Sequence, residues 1–378
     1  MIYLDNASTT KPSENVKAAV MKAMDNFGNP SSMHGLGITA EKTVKASSEA
    51  VARVMGINSS NIYFTSGGTE ANNTAILAYC RKNKKRGKHI ITTKIEHPSV
   101  LEPFKKLESE GFDVTRIGVL PSGELNLEEF EQALRADTIL VSCMWVNNET
   151  GNIQPVEKLK PIMKAHSPNA VLHVDAIQAF GKIPTKISGS GIDMMSVSGH
   201  KIHAVKGIGA LYIKDNITIE PYILGGAQQK DMRSGTENVL GIAAIGTACE
   251  ELDTAANMEQ VAVLKCLLKE EITRRIPNIK INGEGNVSPY ILNVSFTGIK
   301  AEILLHALEA HEIYVSTGSA CSTNKPMPSH VLTAIGCGKA EINGAVRFSL
   351  NADITKEDII KTSEILEKEV AFLRKVMR

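Results

Sequence analysis

The stretch I-Y-F-T-S-G-G-T-E-A-N-N, Ile62 to Asn73, holds the reading of the fold. Ile62 to Thr65 suit a short buried strand, a pair of glycines follows, and a helical pattern runs from Thr69 to Arg81. Strand, glycine turn and helix make the first half of a β-α-β unit. Glycines in such a turn let backbone N–H groups approach an anion, and a helix N-terminus favours negative charge, so a phosphate would fit. The same residues also suit a plain connection with Thr69 as N-cap. The turn is not a dinucleotide fingerprint, which needs G-x-G-x-x-G, nor a P-loop, since G-K-[ST] is missing.

Outward from this stretch the alternation repeats. Strands are predicted at His89 to Thr93, Phe112 to Ile117, Thr138 to Cys143, Ala170 to Val174, Met194 to Val197 and Ala210 to Ile213, with helices at Ser99 to Ser109 and Leu127 to Leu134. Apolar strands alternating with helices predict an α/β fold, a mostly parallel sheet covered by helices. After about residue 255 the rhythm changes. Two long helical patterns bracket strands at Ile291 to Phe296 and Ala345 to Ser349, which predicts a smaller α+β domain. The last helix opens at Thr355 with Asp358 in capping-box position, and carries Ile359, Ile360, Leu366, Val370, Leu373 and Val376 along one side.

Composition narrows the function classes. The chain has 378 residues, 43% hydrophobic and 22% charged, which is ordinary for a soluble globular protein. A net charge of +1 gives no electrostatic footprint for nucleic acid or membrane. The basic run Arg81 to Lys88 reads as a solvated helix end. No basic segment followed by an apolar run opens the sequence, and no apolar stretch has membrane-spanning length. The six cysteines are scattered with no C-x-x-C pair, so reduced thiols in the cytoplasm are expected, without a disulfide framework or zinc site.

In an open parallel sheet, ligands sit beyond the C-terminal strand ends, so chemistry is sought just after each strand. His97 follows one strand in K-I-E-H-P-S, and Asn147, Asn148 and Glu149 follow another in an asparagine-rich turn. Asp175 stands at a strand terminus with Gln178 shortly after. A partly buried carboxylate there needs a cationic or hydrogen-bonding partner, although an N-cap for the next helix would account for it too. Lys201 closes S-G-H-K after Met194 to Val197. A lysine in a crowded site becomes a nucleophilic amine, while a surface lysine does nothing of the kind. Together these residues suit pyridoxal phosphate. Asp175 would pair with the pyridinium nitrogen, and Lys201 would form the imine. Ser198, His200 and the Gly68–Thr69 turn would hold the phosphate, His97 would stack on the ring, and Gln178 and Asn148 would bond the ring oxygen.

At this point the sequence resembles the NifS/IscS-type cysteine desulfurases. The resemblance rests on Y-L-D-N-A-S-T-T (Tyr3 to Thr10), T-S-G-G-T-E-A-N-N (Thr65 to Asn73), E-H-P-S (Glu96 to Ser99), V-N-N-E-T-G (Val146 to Gly151) and H-V-D-A-I-Q (His173 to Gln178). It continues through S-G-H-K (Ser198 to Lys201), M-R-S-G-T-E-N (Met232 to Asn238), S-T-G-S-A-C-S-T (Ser316 to Thr323) and V-R-F-S-L (Val346 to Leu350). The motifs stand in family order and span the chain. The resemblance implies the fold-type I architecture of pyridoxal phosphate enzymes and a homodimer with active sites near the subunit interface. It implies a large cofactor-binding domain at 16–254, and a small domain of 1–15 with 255–378 carrying a cysteine loop at 316–330.

Residue roles follow by position. Lys201 matches the Schiff-base lysine, and Gly68, Thr69, Asn148, Gln178, Ser198, Gly199 and His200 match cofactor contacts. Thr236 matches a threonine reaching the phosphate of the neighbouring subunit's cofactor. Arg347 matches the arginine that binds the substrate carboxylate, with Asn148 beside it. Cys321 matches the nucleophile, with Lys201 and His97 completing the catalytic set. The implied reaction removes sulfur from L-cysteine, leaving alanine and a persulfide on Cys321 for an acceptor protein. A loop of Ser, Thr and Gly suits a cysteine that carries sulfur between sites.

No resident metal is expected, although a Cys321 persulfide could transiently share an iron–sulfur cluster with a scaffold. Two departures stand out: A-V-K-G (Ala204 to Gly207) where relatives often have G-P-K-G, and an end at Arg378 directly after the last helix. Some members carry an extension there for docking an iron–sulfur scaffold, so a rhodanese-like or tRNA-thiolating acceptor is favoured over a scaffold. Rival readings are selenocysteine lyase, an aminotransferase-like enzyme, a non-catalytic binding protein and a nucleotide-dependent enzyme. Transamination needs no thiol, a binding protein would be expected to lose Lys201 or Cys321, and nucleotide fingerprints are missing. Selenocysteine cleavage would use the same residues.

Overall fold

The computed structural model describes residues 1–317 and 328–377. Cys321 and most of its loop lie outside the described residues. Strand β1 is Ile2–Tyr3. Seven strands then form the large sheet: β2 (Ile62–Thr65), β3 (His89–Thr93), β4 (Asp113–Ile117), β5 (Thr138–Met144), β6 (Val171–Asp175), β7 (Met194–Ser198) and β8 (Gly209–Ile213). Their spatial order is β2-β8-β7-β6-β5-β3-β4. The neighbours from β7 through β4 pair parallel, whereas β8 runs antiparallel to both β2 and β7. Because β8 reverses direction twice over, β2 to β7 all point the same way. Their C-terminal ends share one edge, and the loops after them meet there.

Both faces of this sheet are covered, which is why β3, β5, β6 and β7 are buried along their whole length. One face packs on the helical run Gly68 to Asn83 and the helix Pro98–Ser109, through Ala75, Ile76, Tyr79, Val100 and Phe104. The other packs on the helices Gly35–Met55, Val156–His166 and Val239–Glu250, through Val51, Met55, Leu159, Ile242 and Ile245.

The later strands, β9 (Ile279–Asn282), β10 (Ile291–Phe296), β11 (Ile313–Tyr314), β12 (Ser316–Thr317) and β13 (Ala345–Ser349), build a smaller unit. Its antiparallel sheet runs β12-β13-β10-β9, and β1 pairs with β11. The helices Thr254–Arg275, Ala301–Glu309 and Lys356–Val376 cover it. Thr355 and Asp358 form the expected capping box. The apolar side of the last helix is narrower than the sequence reading: Ile359, Leu366, Val370 and Leu373 are buried, but Ile360 and Val376 are exposed. Ile360 is rotated about 100° from Ile359 about the helix axis, which carries it off the buried stripe.

The chain start joins the two units. Leu4 and Ala7 lie in the small-sheet core, and Val16 in the large-sheet core. Between them, Ser349 N donates to Leu4 O at 2.7 Å and Thr10 N donates to His200 O at 2.8 Å. This strap, absent from the sequence reading as an element, runs past the ends of β6 and β7.

Candidate active site

The five loops at the common edge bring the sequence-predicted residues together. After β2, Gly67 caps the helical run, so Thr69 lies inside the first turn and is not the N-cap. Gly209 of β8 lets this turn approach the sheet, since a Cβ there would sit 2.7 Å from the Gly67 backbone. Ser66, Gly67, Gly68, Thr69, Ser198 and His200 line a cavity of about 490 Å³, with Lys206 beside them. Burial, then the charges of Lys201, Lys206 and Lys182, push the His200 imidazole down to about 4, so it is neutral at physiological pH. Glu70 also lines the cavity, its carboxylate paired with Arg233, and the hydroxyls, the neutral imidazole and Lys206 make a cradle of the kind a phosphate takes.

Asp175 ends β6 rather than following it. Its Oδ1 accepts from Ile177 N at 2.9 Å and its Oδ2 from Asn72 Nδ2 at 2.8 Å. Burial raises its pKa, against those hydrogen bonds and the charges of His97 and Lys201. Asn72 Nδ2 also donates to Ser99 Oγ at 2.9 Å. His97 caps the helix Pro98–Ser109 by accepting at Nδ1 from Ser99 N at 3.1 Å, with Ser99 Oγ at 2.8 Å from the same nitrogen. That acceptance puts the imidazole proton on Nε2. Burial lowers the His97 pKa and favours the neutral ring. Asp175, Asn72, Ser99 and His97 thus form one connected chain. The sequence reading gives Asn72 and Ser99 no role, although they stand in T-S-G-G-T-E-A-N-N and E-H-P-S, beside the glycine turn and His97.

Lys201 stands in a 3-10 turn after β7, and its Nζ donates to Ala7 O at 2.6 Å and Ser8 O at 2.7 Å. Gln178 Nε2 donates to the same Ala7 O at 2.8 Å. From the small sheet, Arg347 of β13 reaches across. Its Nη1 donates to Asn148 O at 2.8 Å, and its Nη2 to Asp5 Oδ1 at 2.8 Å and Ser8 Oγ at 2.7 Å. The guanidinium is buried, and its Nε–H has no hydrogen-bond partner among the described residues. Asn148 therefore meets Arg347 through its backbone carbonyl, and Gly199 is tied into the turn by its N–H to Ile208 O at 3.0 Å.

Two predicted residues lie outside this cluster. Thr236 is exposed and lines an adjoining cavity of about 240 Å³ with Gln229, Arg233 and Asn238, which shares Ser66 and Gly207 with the cradle. Cys321 lies outside the described residues, but the flanks of its loop are fixed. Ser316 pairs with Arg347 across β12 and β13, Ser329 Oγ donates to the buried Glu149 Oε2 at 2.5 Å, and His330 Nε2 lies 2.9 Å from Glu96 O. Glu149, named with the asparagine-rich turn after β5, is where Ser329 anchors; Asp5, Ser8 and Ser329 carry no role in the sequence reading, because only the strap and the chain after the cysteine loop bring them here.

These residues fit pyridoxal phosphate. An anion cradle stands at one end, a buried carboxylate held by two donors at the other, and a lysine amine beside both. The buried Asn72 Oδ1 has no partner among the described residues. No group of three or more His, Cys, Asp or Glu among them is arranged to hold a metal.

Comparison with known proteins agrees with this chemistry. The aminotransferase class-V family pattern matches residues 2–361. A cysteine desulfurase of Nostoc sp. is 41% identical over 380 aligned positions, covering 99% of this chain and 94% of that one. A cysteine desulfurase IscS of Dictyoglomus turgidum is 40% identical, covering 99% and 96%. A solved structure of a NifS-like protein superposes with a TM-score of 0.93 at 36% identity, covering 98% of this chain and all of the other.

Proposed function

The chain belongs to the aminotransferase class-V family and is a pyridoxal-phosphate-dependent cysteine desulfurase, and from that premise we propose which of its residues do the work. The observation that carries the assignment is Ser8, which accepts from Lys201 Nζ at its carbonyl and from Arg347 Nη2 at its hydroxyl. An α-amino acid carries its amine and carboxylate on one carbon. A lysine that exchanges with the amine and an arginine that holds the carboxylate must therefore stand about one residue apart.

Bound pyridoxal phosphate supplies an aldehyde that takes up the substrate amine and a ring that withdraws electrons from the adjacent carbon. Gly68, Thr69, Ser198 and His200 would hold its phosphate, with Gly199 a further contact. Asp175 would pair with its ring nitrogen, His97 would stack on its face, and Gln178 and Asn148 would bond its ring oxygen. Lys201 is the amine that would hold the cofactor and yield to substrate. Arg347 orients L-cysteine by its carboxylate, a task suited to a planar fork of donors. His97, neutral with its proton on Nε2, is available to carry a proton at that atom. The Cys321 thiolate forms an S–S bond to the substrate sulfur as the C–S bond breaks. The carbon keeps the electron pair, gains a proton and leaves as alanine.

We also propose 16–254 as the cofactor-binding domain, with 1–15 and 255–378 as its partner domain. The enzyme works in the cytoplasm as a homodimer, Thr236 reaching the neighbouring subunit's phosphate; its exposure supports that reading. The persulfide passes to an acceptor protein with a reactive thiol, for iron–sulfur cluster assembly or tRNA thiolation. No helix among the described residues is long and apolar enough to cross a membrane. The test is alanine and sulfide release from L-cysteine by yellow protein, with and without candidate acceptors. Protein that stays colourless after reconstitution and releases no alanine would refute the assignment.

A further inference from the structure

Lys182 is a buried cation that the scheme above leaves unused. It is 7% exposed, and among the described residues its Nζ makes one hydrogen bond, to Gln178 Oε1 at 2.8 Å. No carboxylate pairs with it among the described residues. Burial, then the charges of Lys201 and Arg347, push its pKa from 10.5 to about 7. A buried amine beside two other cations opposes folding, so packing alone does not explain it.

The hydrogen bonds around Gln178 do. The two side chains share the turn after β6, where Phe180 N donates to Ala176 O at 2.8 Å and Lys182 N to Ala179 O at 3.0 Å. Gln178 Nε2 donates to Ala7 O, the carbonyl that also accepts from Lys201 Nζ. The ammonium form of lysine offers only donors and a backbone carbonyl only accepts, so with Lys182 charged the amide has one allowed orientation. Without Lys182 it could turn over and offer Oε1 to the Lys201 amine, in a charge-assisted bond.

We propose that Lys182 is a positioning residue that holds Gln178 by its carbonyl oxygen, so that the amide NH2 faces Lys201 and donates to the ring oxygen of the cofactor. The inference rests on the reading of Gln178 as a cofactor contact. Lys182→Met, Lys182→Leu, Gln178→Ala and the Lys182→Met/Gln178→Ala double variant are stripped of cofactor and titrated with pyridoxal phosphate, following affinity and absorbance maximum. The melting of each cofactor-free form is recorded alongside.

Both lysine variants should bind the cofactor about tenfold more weakly with a displaced absorbance maximum, a loss the size of one hydrogen bond to a charged group. Their cofactor-free forms should melt no lower than the parent. In the Gln178→Ala background, Lys182→Met should add nothing. Unchanged binding in the lysine variants beside a changed Gln178→Ala overturns the inference. So does an undiminished effect in the double variant, because the lysine would then act on its own. A lower melting temperature that accounts for the lost affinity makes Lys182 structural and overturns it too. A silent Gln178→Ala removes the contact itself, and the inference with it.

Discussion

Lys201 and Arg347, one following β7 of the large sheet and one on β13 of the small sheet, both donate to Ser8, at 2.7 Å each. The separation needed to read an α-amino acid is therefore set by one residue of the chain-start strap. It depends on how the two sheets are docked, not on either sheet alone.

Arg347→Lys tests the carboxylate grip. A lysine has one terminus and cannot serve Asn148 O, Asp5 and Ser8 together, as the guanidinium does. The loss in kcat/KM for L-cysteine should be roughly 2–5 kcal/mol, carried mainly by KM. Cofactor absorbance should be unchanged. A variant with parental KM would assign the carboxylate to another residue.

Lys201→Ala and Cys321→Ala should separate the two halves of the reaction. The first should lose covalent attachment of the cofactor and alanine production, while keeping the fold. The second should stay yellow and bind L-cysteine, yet form neither alanine nor persulfide from it. Parental alanine production by either variant contradicts its assigned role.

Glu96 gives the protein a pH dependence of stability. It is fully buried, and burial pushes its carboxyl from 4.5 up to about 8. Between those values the folded chain holds the proton more tightly than the unfolded chain, so raising the pH through that window costs stability. Glu96→Gln keeps the Oε1 acceptor for Thr93 Oγ1 and Met144 N without the charge. It should melt above the parent near about pH 9, by on the order of a few kcal/mol, and the gap should close toward about pH 5. Parallel melting curves across that range would show that folding leaves the Glu96 pKa unchanged.

Ser329→Ala should loosen the far flank of the cysteine loop. Ser329 Oγ accepts from Leu332 N at 3.0 Å as the cap of the helix His330–Ala334 and donates to Glu149. Losing the cap and the bond should cost about 1–2 kcal/mol in urea unfolding. The same hydrogen bond helps hold the Glu149 carboxyl, which burial raises to about 7, so its pKa should climb further in the variant. An unchanged unfolding midpoint would mean the contact carries no stability.

The sequence by itself determined the alternation of elements and the residues at the strand ends. Apolar runs such as β5 must be buried on both faces, and Gly67–Gly68, Asp175 and Lys201 fall where those runs stop. Such features are local: strand periodicity, glycine turns and capping boxes act over a few neighbouring residues. Tertiary structure decided the rest. It paired β8 antiparallel so that all the working ends share one edge, and it laid residues 5–10 between two cores. It also bound Asn72 to Asp175, Ser329 to Glu149 and Lys182 to Gln178. Two of these pairs join residues far apart along the chain, and the third depends on a turn held against the strap. No periodicity encodes the long-range contacts: the packing of the helical run after β2 over the large sheet brings Asn72 to Asp175, and the chain after the cysteine loop, folded back on the large-sheet loops, brings Ser329 to Glu149.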